Sequence, residues 1–193
     1  SDLFYRAAFF LPSITSMVVV AIVWQWIYNP DYGLLNYFLS LFGIKGPKWL
    51  LDANTSLISL AIVGIWKRAG YDMIIFLSGL QGISNSYYEA SMLDGANKWQ
   101  QFRYITLPML KPTTFFVFVM AVISSFQVFD QVMLMTKGGP GRSSSVLVHY
   151  LYQNAFQYFK LGYACAIAYL LFFIVMGVTV VNMRMEKSMR EIY

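Results

Sequence analysis

The stretch that most constrains the fold is Glu89–Gly95, which reads Glu-Ala-Ser-Met-Leu-Asp-Gly. Nine residues later comes Ile105–Pro108, which reads Ile-Thr-Leu-Pro, and hydrophobic stretches lie on both sides. Ser86 with Glu89 three positions later is a capping-box pattern, which predicts the start of a short helix. Gly95 predicts the end of that helix, because glycine readily adopts the left-handed conformation found after helices. The pattern predicts a polar helical loop between two long apolar helices.

The composition indicates a membrane protein. Hydrophobic residues make up 58% of the 193 residues and charged residues only 12%, whereas a soluble domain has about 25% charged residues. Four stretches are long enough, at roughly 20 residues, to cross a bilayer as helices. They are residues 7–28, 57–83, 113–136 and 162–183. Because lipid offers no hydrogen-bond partner to the backbone, we expect an all-α bundle of transmembrane helices, with a two-helix loop over residues 84–112.

Charged residues interrupt two of these apolar stretches. Lys67, Arg68 and Asp72 lie near the middle of the second stretch, and Asp130 lies in the third. A charge at that depth is costly, by at least a few kcal/mol on insertion scales. Arg68 and Asp72 are four residues apart and can pair along one helix face, but Lys67 has no such partner in its own helix. The charges therefore either pack against neighbouring helices or line a wet path for a solute.

The sequence lacks the features typical of several other classes of protein. The net charge of +5 is not gathered into a basic run that would bind nucleic acid. The single histidine, His149, and the single cysteine, Cys165, form neither a metal site nor a disulfide. No nucleotide-binding Gly-x-x-x-x-Gly-Lys-Ser/Thr motif is present. We therefore expect no enzyme activity and no cofactor in this chain, so transport against a gradient would draw on an ion gradient or another subunit.

The loop motif, Glu-Ala-x-x-x-Asp-Gly, nine residues and Ile-x-Leu-Pro, resembles the EAA loop of ABC-importer permeases, with Ser91 in place of the usual second alanine. Nearly the whole chain resembles the permeases of carbohydrate importers, and most closely the first-type permease of maltose and glycerol-phosphate importers. Further matching stretches are Phe10–Pro12, Asn29–Gly33, Gly79–Ile83, Gln127–Asp130, Thr136–Pro140, Tyr152–Phe156 and Gly162–Ala164. The resemblance implies one permease transmembrane domain over residues 1–193, which begins at the third of six spans.

The resemblance also implies a function and a set of partners. The chain would be the membrane-spanning permease subunit of an ATP-driven importer for a sugar or sugar-related solute. A second, different permease subunit would pair with it, two ATPase subunits would bind ATP and magnesium, and an extracytoplasmic binding protein would deliver the solute. The implied location is the bacterial inner (plasma) membrane. The chain would cross it several times, with both ends of this segment and the loop in the cytoplasm.

Roles for individual residues follow from the same resemblance. The residues implied for the ATPase contact are Glu89, Ala90, Met92, Leu93, Asp94, Gly95 and Ala96. The residues implied for the solute path are Lys67, Arg68, Tyr71, Ser125, Gln127, Val128 and Asp130. Helical spacing puts Lys67 and Tyr71 on one face, and Ser125 and Val128 on another. By the same spacing, Phe129 is expected to point away from the path.

Two questions stay open at this level. The first is the class of transporter, because an ion-coupled secondary transporter could use Asp130, Lys67 and Arg68 as ion sites. A membrane anchor without transport activity is a further alternative, although it would not need charges within the membrane. The second question is the solute. Lys67 and Arg68 suit an anion such as a sugar phosphate, whereas pairing of Arg68 with Asp72, and the aromatic residues, suit a neutral sugar.

Overall fold

Helices form all the regular structure of residues 2–190, which are the residues that the structure, a computed structural model, describes. The α-helices are α1 (Asp2–Ile14), α2 (Met17–Ile27), α3 (Leu34–Leu41), α4 (Ser56–Gln81), α5 (Asn85–Leu93), α6 (Lys98–Gln101), α7 (Leu107–Met109), α8 (Lys111–Phe126), α9 (Asp130–Met135), α10 (Leu147–Tyr152) and α11 (Leu161–Arg190). A 3₁₀ turn spans Trp49–Leu51, and π-helical turns span Phe102–Thr106 and Gln153–Gln157. The all-α prediction is confirmed for this range.

The first apolar stretch forms two helices rather than the single helix expected over residues 7–28. α1 and α2 meet at an angle of 98°. Pro12 lies inside α1, where it removes a backbone N–H and crowds the preceding turn. Ser16 then starts α2, because its side-chain oxygen accepts a hydrogen bond from the N–H of Val18 at 3.4 Å. A weakened helix end followed directly by a new N-cap explains the bend.

The third apolar stretch is also broken, whereas the second and fourth are continuous. α8 ends at Phe126 and α9 begins at Asp130. Between them Phe129 has φ −138° and ψ −56°, which lies outside the helical region. The expectation of one helix over residues 113–136 is therefore wrong. α4 and α11 match the stretches 57–83 and 162–183, although α11 continues to Arg190.

Among the residues that the structure describes, length and composition single out α11 as a helix able to cross a membrane, over Leu161–Arg184. The number rises to three if each of two bent pairs counts as one span: α1 with α2, and Lys98–Met109 with α8 at 58°. α4 has 26 residues but is not among them, because it carries Lys67, Arg68 and Asp72. The four-span arrangement therefore stays a prediction.

α4 is the helix around which the others pack. It contacts α1, α8 and α9, while α2 packs on α9, and α11 packs on α8 and α10. At Gly70 the backbones of α4 and α1 come so close that a Cβ would overlap the carbonyl oxygen of Phe9. The buried apolar core lies where α2, α4 and α9 meet; its members are Val20, Ala21, Tyr28, Leu60, Val63, Val132 and Met135. This core and the Gly70 contact hold α1, α2 and α9 against α4.

The loop between α9 and α10 folds back on itself and on the start of α4. Ser144 Oγ donates to the carbonyl oxygen of Gly139 at 2.6 Å, and the hydroxyls of Ser56 and Ser143 lie 2.9 Å apart. His149, only 1% exposed, packs against Gly138. Its Nδ1 lies 3.2 Å from Ser145 Oγ, while its Nε2 is buried without a partner in the described part of the chain. Burial lowers the pKa of His149 from its ordinary value.

Candidate functional site

A cavity of about 840 Å³ lies between α4 and the broken pair α8 and α9, with α1 and α2 at its border. All seven residues expected for the solute path line it: Lys67, Arg68, Tyr71, Ser125, Gln127, Val128 and Asp130. The structure therefore brings these residues together around one space. Their role in transport remains a prediction.

Lys67 points its ammonium group at the end of α1. Its Nζ donates to the carbonyl oxygens of Pro12 at 3.1 Å, Ser13 at 3.3 Å and Thr15 at 2.6 Å. The last carbonyls of a helix have no partner within the helix and carry partial negative charge. Ser13 Oγ donates in return to the carbonyl oxygen of Lys67 at 2.9 Å. The C-terminal end of α1 thus provides the partner that Lys67 lacks within α4.

Arg68 joins α4 to α8. Its Nε donates to Asp72 Oδ2 at 3.0 Å, as the spacing of four residues predicted. Its Nη1 donates to Ser124 Oγ at 2.9 Å, and that hydroxyl donates to the carbonyl oxygen of Met120 at 2.7 Å. Arg68 Nη2 and Asp72 Oδ1 are buried without a hydrogen-bond partner in the described residues. The pair therefore uses only one arm of the bidentate geometry that arginine and carboxylate can form.

The polar side chains of the cavity that remain exposed carry no positive charge. They are Tyr71, Ser125, Gln127 and Asp130. Asp130 is the first residue of α9, and its carboxylate makes no hydrogen bond or ion pair with any residue that the structure describes. A ligand in this space would meet a phenol, a hydroxyl, an amide and a carboxylate.

The break between α8 and α9 places residues in the cavity that helical spacing missed. Phe129 lines the cavity, so the expectation that it points away is wrong; its ring centroid lies 5.1 Å from that of Tyr152. Gln131 also lines the cavity, and its side chain lies against Gly64 of α4. Face arguments assume a continuous helix, and the backbone of residues 127–129 is not helical. No signal in the sequence pointed to Gln131 apart from its being polar within an apolar stretch.

The loop over residues 84–112 contains short helices, but their caps differ from those expected. α5 begins after Ser84, whose Oγ accepts the N–H of Ser86 at 3.3 Å. Ser86 and Glu89 therefore do not form a capping box. The capping box lies at α6, where Asn97 Oδ1 accepts the N–H of Gln100 at 2.9 Å and Gln100 Oε1 accepts the N–H of Asn97 at 2.8 Å. Ser84 is the cap because its backbone is extended, with φ −63° and ψ 136°, and the helix begins at Asn85.

Side-chain contacts hold α5 and the following helical segment together. Gln101 Nε2 donates to Ser91 Oγ at 2.9 Å, and the hydroxyls of Tyr88 and Thr106 lie 2.9 Å apart. Gly95 lies between the two and has φ +79°, as predicted for the residue that ends α5. These contacts make the loop one unit rather than two independent helices.

The loop presents apolar side chains on its outside. Leu93 is 91% exposed and Met92 59%, and Trp99 and Tyr104 are exposed later in the same loop. We call these four residues the loop surface. Of the residues expected for the ATPase contact, Glu89, Ala90, Met92, Leu93, Asp94 and Gly95 are exposed, and Ala96 is half-buried. An exposed apolar group of this kind is typical of a protein-binding surface.

Comparisons with known proteins agree with this architecture. The family model "Binding-protein-dependent transport system inner membrane component" matches residues 1–186. The chain is 39% identical over 190 residues to the "Probable ABC transporter permease protein YurN" of Bacillus subtilis, covering 97% of this chain and 65% of that protein. It is 34% identical over 183 residues to the "Sulfoquinovosyl glycerol transport system permease protein SmoG" of Agrobacterium fabrum, covering 95% and 59%.

A solved structure shows the same fold. It is the crystal structure of a bacterial alginate ABC transporter in complex with an alginate pentasaccharide-bound periplasmic protein. One of its chains superposes with a TM-score of 0.86 at 25% identity, covering 95% of this chain and 64% of that chain. The chain spans less than two thirds of the length of each of these relatives. The family match over nearly all its residues nonetheless shows that the chain belongs to the inner membrane components of binding-protein-dependent transport systems.

Proposed function

We propose that this chain is a permease subunit of an ATP-driven importer that takes up a sugar or sugar-related solute. A second permease subunit completes the path, two ATPase subunits bind ATP and magnesium, and an extracytoplasmic binding protein delivers the solute. The chain crosses the inner membrane several times, with the loop over residues 84–112 and both ends of the segment in the cytoplasm. The observation that carries the proposal is the family match together with one cavity that collects all seven residues expected for the path.

The loop surface is the proposed contact with the ATPase. Its apolar side chains are exposed although the loop is internally tied, and a rigid loop can transmit the movement of a bound ATPase to α4 and α8. Glu89 adds a charge on the same loop and caps nothing. The effect of a substitution at Glu89 therefore measures the contact with the ATPase rather than the stability of α5.

The coupling proposal is tested in vesicles that contain the assembled transporter. Leu93→Ser and Glu89→Ala should reduce ATP-driven uptake severalfold and weaken co-purification of the ATPase, because each removes a side chain of the proposed contact. Both side chains are exposed, so their loss should leave the fold intact. Leu41→Ser in α3 is the matched control, since Leu41 is also exposed. Normal uptake by both loop variants, or an equal loss in the control, would remove the loop surface from the ATPase contact.

The path proposal needs variants inside the cavity. Tyr71→Ala and Ser125→Leu should reduce uptake or change solute preference while the ATPase stays bound. Met73→Leu is the control, because Met73 is on the same helix as Tyr71, half-buried, and does not line the cavity. Phe129 would be unsuitable as a control position, since its ring lines the cavity. Equal loss in Met73→Leu would place the path elsewhere.

An ion-coupled transporter remains the alternative function. It would use Asp130, Lys67 and Arg68 as ion sites. Asp130 is unpaired among the described residues, but Lys67 and Arg68 are engaged by α1, Asp72 and Ser124. This engagement favours the ATP-driven importer. Uptake that persists after collapse of ion gradients with ionophores, and stops when ATP is depleted, supports the importer; the reverse pattern supports ion coupling.

A further inference from the structure

The charge character of the cavity, which the sequence leaves open, depends on the contacts of its charged residues. Two cations, Lys67 and Arg68, and one carboxylate, Asp130, line it. The contacts of the two cations decide whether a solute can meet their charge.

Lys67 has no hydrogen-bond donor left for a solute. A lysine ammonium carries three N–H groups, and three carbonyl oxygens of the α1–α2 bend lie within 3.3 Å of Nζ. Because those carbonyls are the negative end of a helix dipole, they also offset part of the lysine charge. An anion could hydrogen-bond to Lys67 only by displacing at least one of these carbonyl oxygens.

Arg68 is likewise committed within the chain. Its charge is paired with Asp72 at 3.0 Å, and one of the two N–H groups of Nη1 donates to Ser124 Oγ. The remaining nitrogen, Nη2, is buried, so it is not open to a molecule in the cavity. The Asp130 carboxylate, in contrast, is exposed at the start of α9 and unpaired among the described residues. It leaves the accessible part of the cavity with a negative character.

We propose that the solute path of this chain selects neutral, hydroxyl-rich solutes and disfavours anionic ones, with Asp130 as the specificity-determining residue. The proposal rests on the proposed function, because it assigns a solute class to the same cavity. A carboxylate only accepts hydrogen bonds, so it suits sugar hydroxyls, which donate them, and repels a carboxylate or phosphate at short range. Gln127 and Tyr71 add an amide and an aromatic face, which also suit an uncharged sugar.

The charge of the cavity is measured without knowledge of the natural solute. In the assembled transporter, with Cys165→Ala to remove the one native cysteine of the chain, the Ser125→Cys variant is reacted with two methanethiosulfonates, one bearing trimethylammonium and one bearing sulfonate. The ratio of the two rates on this chain is divided by the same ratio for a small free thiol. This division removes the intrinsic reactivity of the reagents.

We expect the cationic reagent to be favoured severalfold at position 125, and Asp130→Asn to bring the ratio close to one. Asp130→Glu keeps the charge and should keep the ratio, which separates the effect of charge from any local disturbance of α9. Ser86→Cys on the exposed loop is the control, because Asp130→Asn should not change its ratio. A ratio at or below one, or a ratio that Asp130→Asn leaves unchanged, would overturn the proposal.

Transport is a separate readout. If no sugar enters the vesicles under ATP, the proposed function fails whatever the thiol ratios are. If uptake occurs and an oligosaccharide bearing carboxylates is taken up as fast as its neutral counterpart, the importer stands and the neutral selectivity is wrong.

Discussion

The Nζ atom of Lys67 lies 2.6 Å from the carbonyl oxygen of Thr15, at the point where α1 gives way to α2. This contact links a charge in the middle of α4 to the end of a helix that precedes it by about fifty residues. Because Pro12 and Ser13 present their carbonyls to the same ammonium group, Lys67 stabilises the 98° bend directly.

Replacing Lys67 should therefore destabilise the fold. Lys67→Met leaves three carbonyls without their charged donor, which should lower the free energy of unfolding by about 2 to 3 kcal/mol. Thermal unfolding of the purified protein in detergent measures the change. Lys160→Met is the control, because Lys160 is exposed and exposed substitutions usually stay within about 0.5 kcal/mol. Equal shifts in both variants would mean that the contact contributes nothing.

Gly70 should tolerate no side chain, in contrast to a glycine in α11. Gly70→Ala places a Cβ on the Phe9 carbonyl, so α1 must move away from α4, at a cost of about 1 to 3 kcal/mol. A Cβ at Gly177 would have nothing within 4 Å, and alanine is the better helix former by about 1 kcal/mol. Unfolding temperatures should therefore fall for Gly70→Ala and hold or rise for Gly177→Ala; a reversed order would contradict the close approach.

Loss of the Asn97 cap should lower the local stability of α6, whereas loss of the Ser86 side chain should not lower that of α5. Asn97→Ala removes the acceptor of the Gln100 N–H and should cost about 1 kcal/mol of local stability. Hydrogen exchange at Gln100 reports this loss as faster exchange. Ser86→Ala should leave exchange in the loop nearly unchanged, because Ser84 provides the cap of α5. Faster exchange in both variants to the same degree would refute this assignment.

Stability should depend on pH through His149. Burial lowers its pKa below the ordinary value of 6.5, so the unfolded chain binds the proton first. The stabilisation is complete above pH 6.5 and is lost as the pH falls through the lowered folded-state pKa. Protonation would also place an N–H on Nε2, which is buried without an acceptor among the described residues. Unfolding temperatures from pH about 7.5 to about 5 should fall for the unchanged protein.

The His149→Gln variant supplies the comparison for that measurement. Glutamine does not titrate, so the fall in unfolding temperature over this range should shrink. An equal slope in the variant would assign the pH dependence to other groups.

The sequence predicted the features that depend on local pattern. Long apolar runs identify α4 and α11, and the charges Lys67, Arg68 and Asp130 within such runs mark residues that line the cavity. The bend after α1 was missed although Pro12 and Ser16 are local signals for it, whereas its further partner Lys67 lies far away in the chain. The break at residues 127–129 was missed because an apolar run with one charge fits a straight helix equally well.

Helix caps and unpaired charges were also only partly predictable from the sequence. Ser86 with Glu89 and Asn97 with Gln100 are both capping patterns, but only the second pair forms a capping box, because α5 begins after Ser84 rather than after Ser86. The charge character of the cavity was likewise undecided, since it depends on which of Lys67, Arg68 and Asp130 finds a partner. Composition counts charges, whereas contacts decide which of them a solute can meet.

The three charges of α4 have a consequence for the order in which the protein is built into a membrane. Insertion scales assign about 2.5 to 3.5 kcal/mol to each such residue at the centre of a helix, so α4 is a poor candidate for insertion alone. Arg68 pairs with Asp72 of the same helix, but the acceptors of Lys67 belong to α1 and to the bend that follows it. Since α1 leaves the ribosome first, we expect it to wait beside the insertion machinery and to enter the lipid together with α4.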